Sequence, residues 1–141
     1  MINSWLFWAL LSAIFAAMTA ILAKKGVTGV DSNLATAVRT TVVLVFAWLV
    51  AVMMAKPAAI QDFSKKTWLF LILSGIATGL SWLCYFKALQ MGPASKVAPI
   101  DKLSVVFVLV FAALFLGERL TIQTMLGGGL IAAGALVLAI K

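Results

Sequence analysis

The chain has 141 residues, of which 65% are hydrophobic and only 11% are charged. A soluble globular domain carries roughly 25% charged residues, so this composition excludes a soluble fold and predicts an integral membrane protein. The formal net charge of +7 is expected in loops near lipid headgroups, since no contiguous basic segment indicates nucleic-acid binding. One cysteine, Cys84, and no histidine leave neither a disulfide framework nor a metal-binding spacing, so no metal or cofactor is expected.

Five apolar runs are long enough to cross a membrane, which takes ~20 residues in a helix. They cover about residues 4–23, 34–55, 68–90, 95–116 and 121–140. The first run has no basic residue before it and four more runs after it, so it is interpreted as a retained span and not as a signal peptide. The sequence therefore predicts an all-α membrane protein, with one domain over residues 1–141 and five transmembrane helices.

The connectors between these runs carry helix start and stop signals. Ser32 or Asn33 is expected to cap the second helix, and Thr67 the third. Gly92 and Pro93 pair a helix-ending glycine with a proline suited to the first turn of the next helix.

The Lys and Arg residues outside the spans divide four to four between the two membrane faces, and three more cations inside or near span ends raise one face to seven. The face of the N-terminus, face A, receives Lys56, Lys65, Lys66 and Arg119. The opposite face, face B, receives Lys24, Lys25, Lys96 and Lys141, and also Arg39, Lys87 and Lys102 if cations inside or near span ends are included. Orientation follows such a bias, so the count assigns no inside and is also what a chain inserted both ways would show.

The third span carries a polar and aromatic stripe at helical spacing, formed by Ser74, Thr78, Ser81, Trp82 and Tyr85. One interpretation is a substrate-lining wall, with hydroxyls for hydrogen bonds and rings for stacking. The alternative is helix packing, in which Ser and Thr are common interface residues. Trp82 lies several residues inside the span, where an interfacial aromatic belt explains it less well, and this favours lining.

Two charges lie deep enough in their spans to need a reason. Arg39 lies about 8 Å into the second span and Asp101 about 9 Å into the fourth, both measured from face B. A charge in the bilayer interior costs roughly 2.5–3.5 kcal/mol, and Asp is too short to reach the headgroups as Lys87 and Lys102 can. Because adjacent helical residues point about 100° apart, Asp101 is expected to be bridged not to Lys102 but to Arg39 or Lys87, at a vestibule on face B.

Pro99 and several glycines predict features of helix packing. Pro99 removes a backbone hydrogen bond and is expected to kink the fourth helix, as a hinge of the kind found in transporters. The alternative is that proline is tolerated this close to a helix start. Close packing, within one bundle or between subunits, is expected at Gly75 and Gly79 and in the glycine-rich fifth span, at Gly127-Gly128-Gly129 and Gly134.

The whole chain, and residues 85–134 most specifically, resembles the EamA domain of the drug/metabolite transporter superfamily. The matching features are Ala88-Leu89 near the third helix end, an early proline in the fourth helix at Pro99, Leu116-Gly117-Glu118 before the fifth, and Arg39 early in the second. The resemblance implies one five-helix half-transporter repeat. It also implies a secondary transporter or exporter of small amino-acid-like or drug-like metabolites that works by alternating access.

Most proteins of this superfamily carry two such repeats in opposite orientations, whereas this chain has one. The resemblance therefore implies a second, inverted copy as partner, besides membrane lipids and a small-molecule substrate, in a bacterial or archaeal cell (inner) membrane. The alternatives are a non-transporting membrane scaffold or one half of a hetero-oligomeric transporter. An enzyme is not expected, because the four acids form no catalytic constellation. Among them, Glu118 is expected to cap the fifth helix or to pair with Arg119.

Overall fold

A computed structural model describes residues 4–54 and 57–140 of the chain. Within these ranges the secondary structure is helical, without strands. Lys56 and Lys141, which were counted among the cations of the two faces, lie outside the described residues. The helices are α1 (Ser4–Gly26), α2 (Ser32–Met54), a 3₁₀ helix (Pro57–Asp62), α3 (Lys65–Met91), α4 (Ala94–Asp101), α5 (Ser104–Phe115) and α6 (Ile122–Ala139).

Five stretches of these helices are long and apolar enough to cross a membrane. They are Trp5–Gly26, Ser32–Met54, Lys65–Met91, Ala94–Phe115 and Ile122–Ala139. The fourth combines α4 and α5, which follow each other with only two residues between them. The predicted all-α membrane fold with five spans is confirmed.

The chain divides into two compact units. Met1–Lys25 and Met91–Lys141 form one, called the terminal unit, and Gly26–Gln90 form the other, called the central unit. The terminal unit holds α4, α5 and α6, and the central unit pairs α2 with most of α3.

In the terminal unit, α6 contacts both α4 and α5. A Cβ atom built on Gly128 of α6 would lie 2.7 Å from Cδ1 of Leu109, so a glycine is what lets α5 approach this closely. At the end of α6, the Nζ of Lys96 donates a hydrogen bond to the carbonyl of Ala139 at 3.4 Å. A cation at a helix C-terminus also interacts favourably with the helix dipole.

Of the glycines expected to allow close packing, Gly128 has a neighbouring helix close to it in the structure. A Cβ atom built on any of the others meets no neighbouring atom of the described residues within 4 Å; they are Gly75, Gly79, Gly127, Gly129 and Gly134. Packing against another subunit at these five positions stays a prediction. The sequence could not distinguish Gly128 from the two glycines beside it, because only the neighbouring helix does so.

The fourth span is interrupted after Pro99 and not at it. Helix α4 continues through Pro99 and ends at Asp101, and Lys102 and Leu103 form a turn before α5 begins. The backbone N–H groups of Lys102 and Leu103 donate to the carbonyls of Pro99 and Ile100, each at 3.0 Å. These bonds span three residues instead of four, so the chain is wound more tightly here than in an α-helix. The helix is therefore interrupted about one helical turn after Pro99, the residue at which the kink was predicted.

The helix caps in the central unit differ from those expected. Oδ1 of Asp31 accepts the backbone N–H groups two and three positions later, at 2.9 and 3.0 Å, so Asp31 caps α2. The expectation of Ser32 or Asn33 is wrong. For α3, the Oγ of Ser64 accepts the backbone N–H of Thr67 at 3.1 Å, so Thr67 is a partner of the cap and not the cap itself.

Helix α6 is also capped by a residue other than the expected one. Gly117, with φ at +68°, ends α5, and the backbone N–H of Glu118 donates to the carbonyl of Ala112 at 3.1 Å. The side chain of Thr121 accepts the backbone N–H of Thr124 at 3.2 Å and caps α6. The expected cap by Glu118 is wrong, and its ion pair with the following arginine is not found among the described residues.

Candidate functional site

The central unit places a cation of α2 against two aromatic rings of α3. The Cζ atom of Arg39 lies 4.2 Å from the ring centroid of Trp82 and 5.6 Å from that of Phe86. The two rings share one face of α3 because they are four residues apart. Phe86 is buried and Trp82 is half-buried, so the rings form a wall between the two helices. These three residues are called the Arg39 cluster.

One nitrogen atom of the half-buried Arg39 guanidinium is enclosed by the protein. This atom, Nη1, is buried and has no hydrogen-bond partner among the described residues. A cation–π contact contributes about 0.5–2 kcal/mol, which is less than the roughly 2.5–3.5 kcal/mol that a charge costs inside a bilayer. The cluster therefore holds a cation whose hydrogen-bonding capacity is only partly used.

Helix α2 has a buried polar face on the N-terminal side of Arg39, and this face was not predicted from the sequence. Ser32 and Thr36 are only 3% and 4% exposed, although most of α2 is apolar and exposed. The Thr36 hydroxyl donates to the Ser32 carbonyl at 2.7 Å, and the Thr40 hydroxyl donates to the Thr36 carbonyl at 2.7 Å. The spacing of Ser32, Thr36 and Arg39 by four and three residues is the signal that could have found this face.

The predicted stripe on α3 divides into two parts. Ser74, Thr78 and Ser81 are exposed, and the Thr78 hydroxyl donates to the Ser74 carbonyl at 2.9 Å. Trp82 and Tyr85 are half-buried, and Trp82 lies against Arg39. The structure thus brings Trp82 of the stripe into the Arg39 cluster, and the lining role of the stripe stays a prediction.

A second set of contacts holds the end of α3 to the turn before α2. The side-chain Nε2 of Gln90 donates to the carbonyl of Val30 at 2.7 Å. The Nζ of Lys87 lies 3.5 Å from the Oε1 of the same glutamine. Gln90 lies about one turn from Phe86 along α3, so its bond to Val30 fixes the ends of the two helices that carry the cluster.

Asp101 has a different partner from those expected. Its Oδ2 atom lies 3.7 Å from the Nζ of Lys102, and the side chains are 40% and 58% exposed. The expectation that these neighbours could not pair is wrong, because the long and exposed side chain of Lys102 reaches back to the carboxylate although the two residues point in different directions. Arg39 and Lys87 belong to the central unit, and a bridge from Asp101 to either stays a prediction.

Comparison with known proteins agrees with this arrangement of apolar spans. The sequence profile described as "EamA-like transporter family" matches residues 3–140. A Sinorhizobium sp protein named "Uncharacterized transporter in cobO 3'region" is 55% identical over 143 residues, and the alignment covers 99% of each chain. No solved structure matches the chain. This integral, multi-pass membrane protein therefore belongs to the EamA-like transporter family, as the resemblance in its motifs implied.

Proposed function

We propose that the protein is a secondary transporter that exports small metabolites across a bacterial cell membrane. The observation that carries this proposal is the Arg39 cluster, a cation held against aromatic rings within the spans. Ionisable residues in spans are costly and mark solute or ion pathways in membrane proteins. The family and the name of the Sinorhizobium relative favour transport over enzymatic activity, and the relative's source favours a bacterial membrane.

Alternating access is the mechanism we propose, with two parts of the chain contributing. The α3 stripe from Ser74 to Tyr85 lines the solute path, and the segment Pro99–Asp101 acts as hinge and polar site. The support for a hinge is the two-residue turn between α4 and α5, where the bonds of a regular helix are replaced by tighter ones. Broken helices of this kind line cavities in transporters.

The second half of the transporter is, in this proposal, a copy of the same chain inserted in the opposite orientation. The support is the four-to-four division of the Lys and Arg residues outside the spans, which gives the chain little preference for one orientation. The test is a reporter fused at the C-terminus. Signal from both sides of the membrane is expected, whereas one clean orientation would contradict an inverted homodimer.

Transport is tested with purified protein in liposomes that are loaded with a cellular metabolite extract. Mass spectrometry of the external medium identifies the solutes released, and Trp82→Ala and Asp101→Asn are expected to abolish their release. Trp48→Ala is the matched control, since Trp48 is a half-exposed tryptophan of α2 outside the cluster. If folded wild-type protein releases nothing, the proposal is wrong and the chain is a scaffold or one half of a hetero-oligomer. If both variants release solutes as the wild type does, the roles assigned to Trp82 and Asp101 are wrong.

A further inference from the structure

The positive charge of Arg39 has no carboxylate close to it within the central unit. The only acids among Gly26–Gln90 are Asp31 and Asp62. Asp31 lies eight residues before Arg39, about 12 Å along the axis of α2, and its Oδ1 already accepts two backbone N–H groups. Asp62 lies in the 3₁₀ helix that follows the far end of α2. Within this unit, therefore, no carboxylate neutralises the positive charge of Arg39.

The aromatic contacts do not take the place of an acceptor. A cation over a ring is attracted by the negative face of the π system, whereas the N–H donors of a guanidinium lie in its own plane. The contact of Arg39 with Trp82 therefore supplies no hydrogen-bond acceptor, and the buried Nη1 atom has none among the described residues. A buried donor without an acceptor is costly, so the cluster is suited to a ligand that supplies one.

We propose that the solute carries a carboxylate and that Arg39 binds it. This inference rests on the proposed transport function, because it names the class of solute for that site. A planar guanidinium pairs with a carboxylate through two parallel hydrogen bonds, which an ammonium cannot reproduce. A cationic solute would instead be repelled, since Arg39 already supplies a positive charge at the site.

Binding is measured by the shift in thermal unfolding of the purified protein in detergent micelles. The probes are small monocarboxylates, each paired with the primary amide of the same shape, and inorganic phosphate. Carboxylates are expected to raise the unfolding midpoint and amides are not. Arg39→Gln is expected to weaken carboxylate binding roughly 10- to 100-fold, the usual effect of losing a charged hydrogen-bond donor.

Three further variants separate binding from folding. Arg39→Lys keeps the charge and is expected to restore only part of the affinity, because it lacks the fork. Trp48→Phe changes a half-exposed tryptophan of α2 outside the cluster and is expected to bind as the wild type does. Arg119→Gln removes one arginine from a loop outside the cluster, so its carboxylate binding should be unchanged.

The possible results are distinct. Equal stabilisation by acids and their amides, carboxylate binding that survives in both Arg39 variants, or stabilisation by phosphate alone would overturn the carboxylate assignment. Failure of every probe to bind the wild type would overturn it as well. Arg39-dependent carboxylate binding in a protein that releases no solute from liposomes would support this inference and contradict the transport function. Release of neutral or cationic solutes that is insensitive to Arg39→Lys would do the reverse.

Discussion

The contact between α5 and α6 makes a prediction with an internal control. A Cβ atom on Gly128 would lie 2.7 Å from Cδ1 of Leu109, whereas one on the adjacent Gly127 meets nothing within 4 Å. Carbon atoms prefer separations of about 3.5–4.0 Å, so Gly128→Ala requires the Leu109 methyl to move by about 1 Å. Overpacking costs typically ~1–3 kcal/mol, whereas replacing a helical glycine by alanine stabilises by roughly 0.5–1 kcal/mol at either position.

The gain in helix propensity is common to both variants and cancels in their comparison. Because Leu109 Cδ1 is the end of a flexible, half-buried side chain that can turn aside, Gly128→Ala is expected to unfold with a free energy about 0.5–1.5 kcal/mol lower than that of Gly127→Ala, the cost of an off-rotamer side chain. The assay is unfolding in mixed micelles with increasing SDS, followed by circular dichroism. Combining Gly128→Ala with Leu109→Ala removes the methyl group in the way, so the two changes should cost less together than the sum of their separate costs. Equal stability of the two alanine variants, or strict additivity in the double variant, would refute this account of the contact.

Three other predictions concern caps and charges, and the same SDS titration tests them. Asp31→Ala and Ser64→Ala should each lower the free energy of unfolding by about 0.5–2 kcal/mol, because each removes a helix cap. Ser81→Ala, a change within α3, should have little effect. Equal losses of stability in all three variants would contradict the assigned caps. Lys102→Met should change stability by no more than about 1 kcal/mol, because its pair with the preceding carboxylate is exposed, and a larger loss would indicate another partner. Lys96→Met should lower stability by about 0.3–1 kcal/mol through its loss from the end of α6, and no change would remove that contact from the account.

The candidate site was predictable in its residue types and not in its pairings. Arg39 and Trp82 were both selected from the sequence because a charge and an indole ring inside a span each need a reason. Their contact could not be derived, since it depends on how α2 and α3 are rotated about their own axes. The same rotation buries Ser32 and Thr36, which look like ordinary helix-start residues in the sequence.

The charged segment after Pro99 shows why local geometry limits such reasoning. The pairing of Asp101 with Lys102 was excluded because neighbouring helical side chains point about 100° apart. The lysine side chain is nevertheless long enough to bring its Nζ to 3.7 Å from the carboxylate. A proline predicts that a helix is disturbed, but the place of the disturbance depends on which backbone carbonyls then find donors.

The sequence by itself determined the membrane fold and its five spans, because the thickness of a bilayer requires ~20 apolar residues in a row and five runs meet that requirement. The tertiary structure decided which of three consecutive glycines packs against a neighbouring helix, which residue caps each helix and which aromatic ring contacts Arg39. The physical reason is that nearly every face of these helices is apolar. Hydrophobicity therefore places them in the membrane without selecting a face, and contacts between specific atoms make that selection.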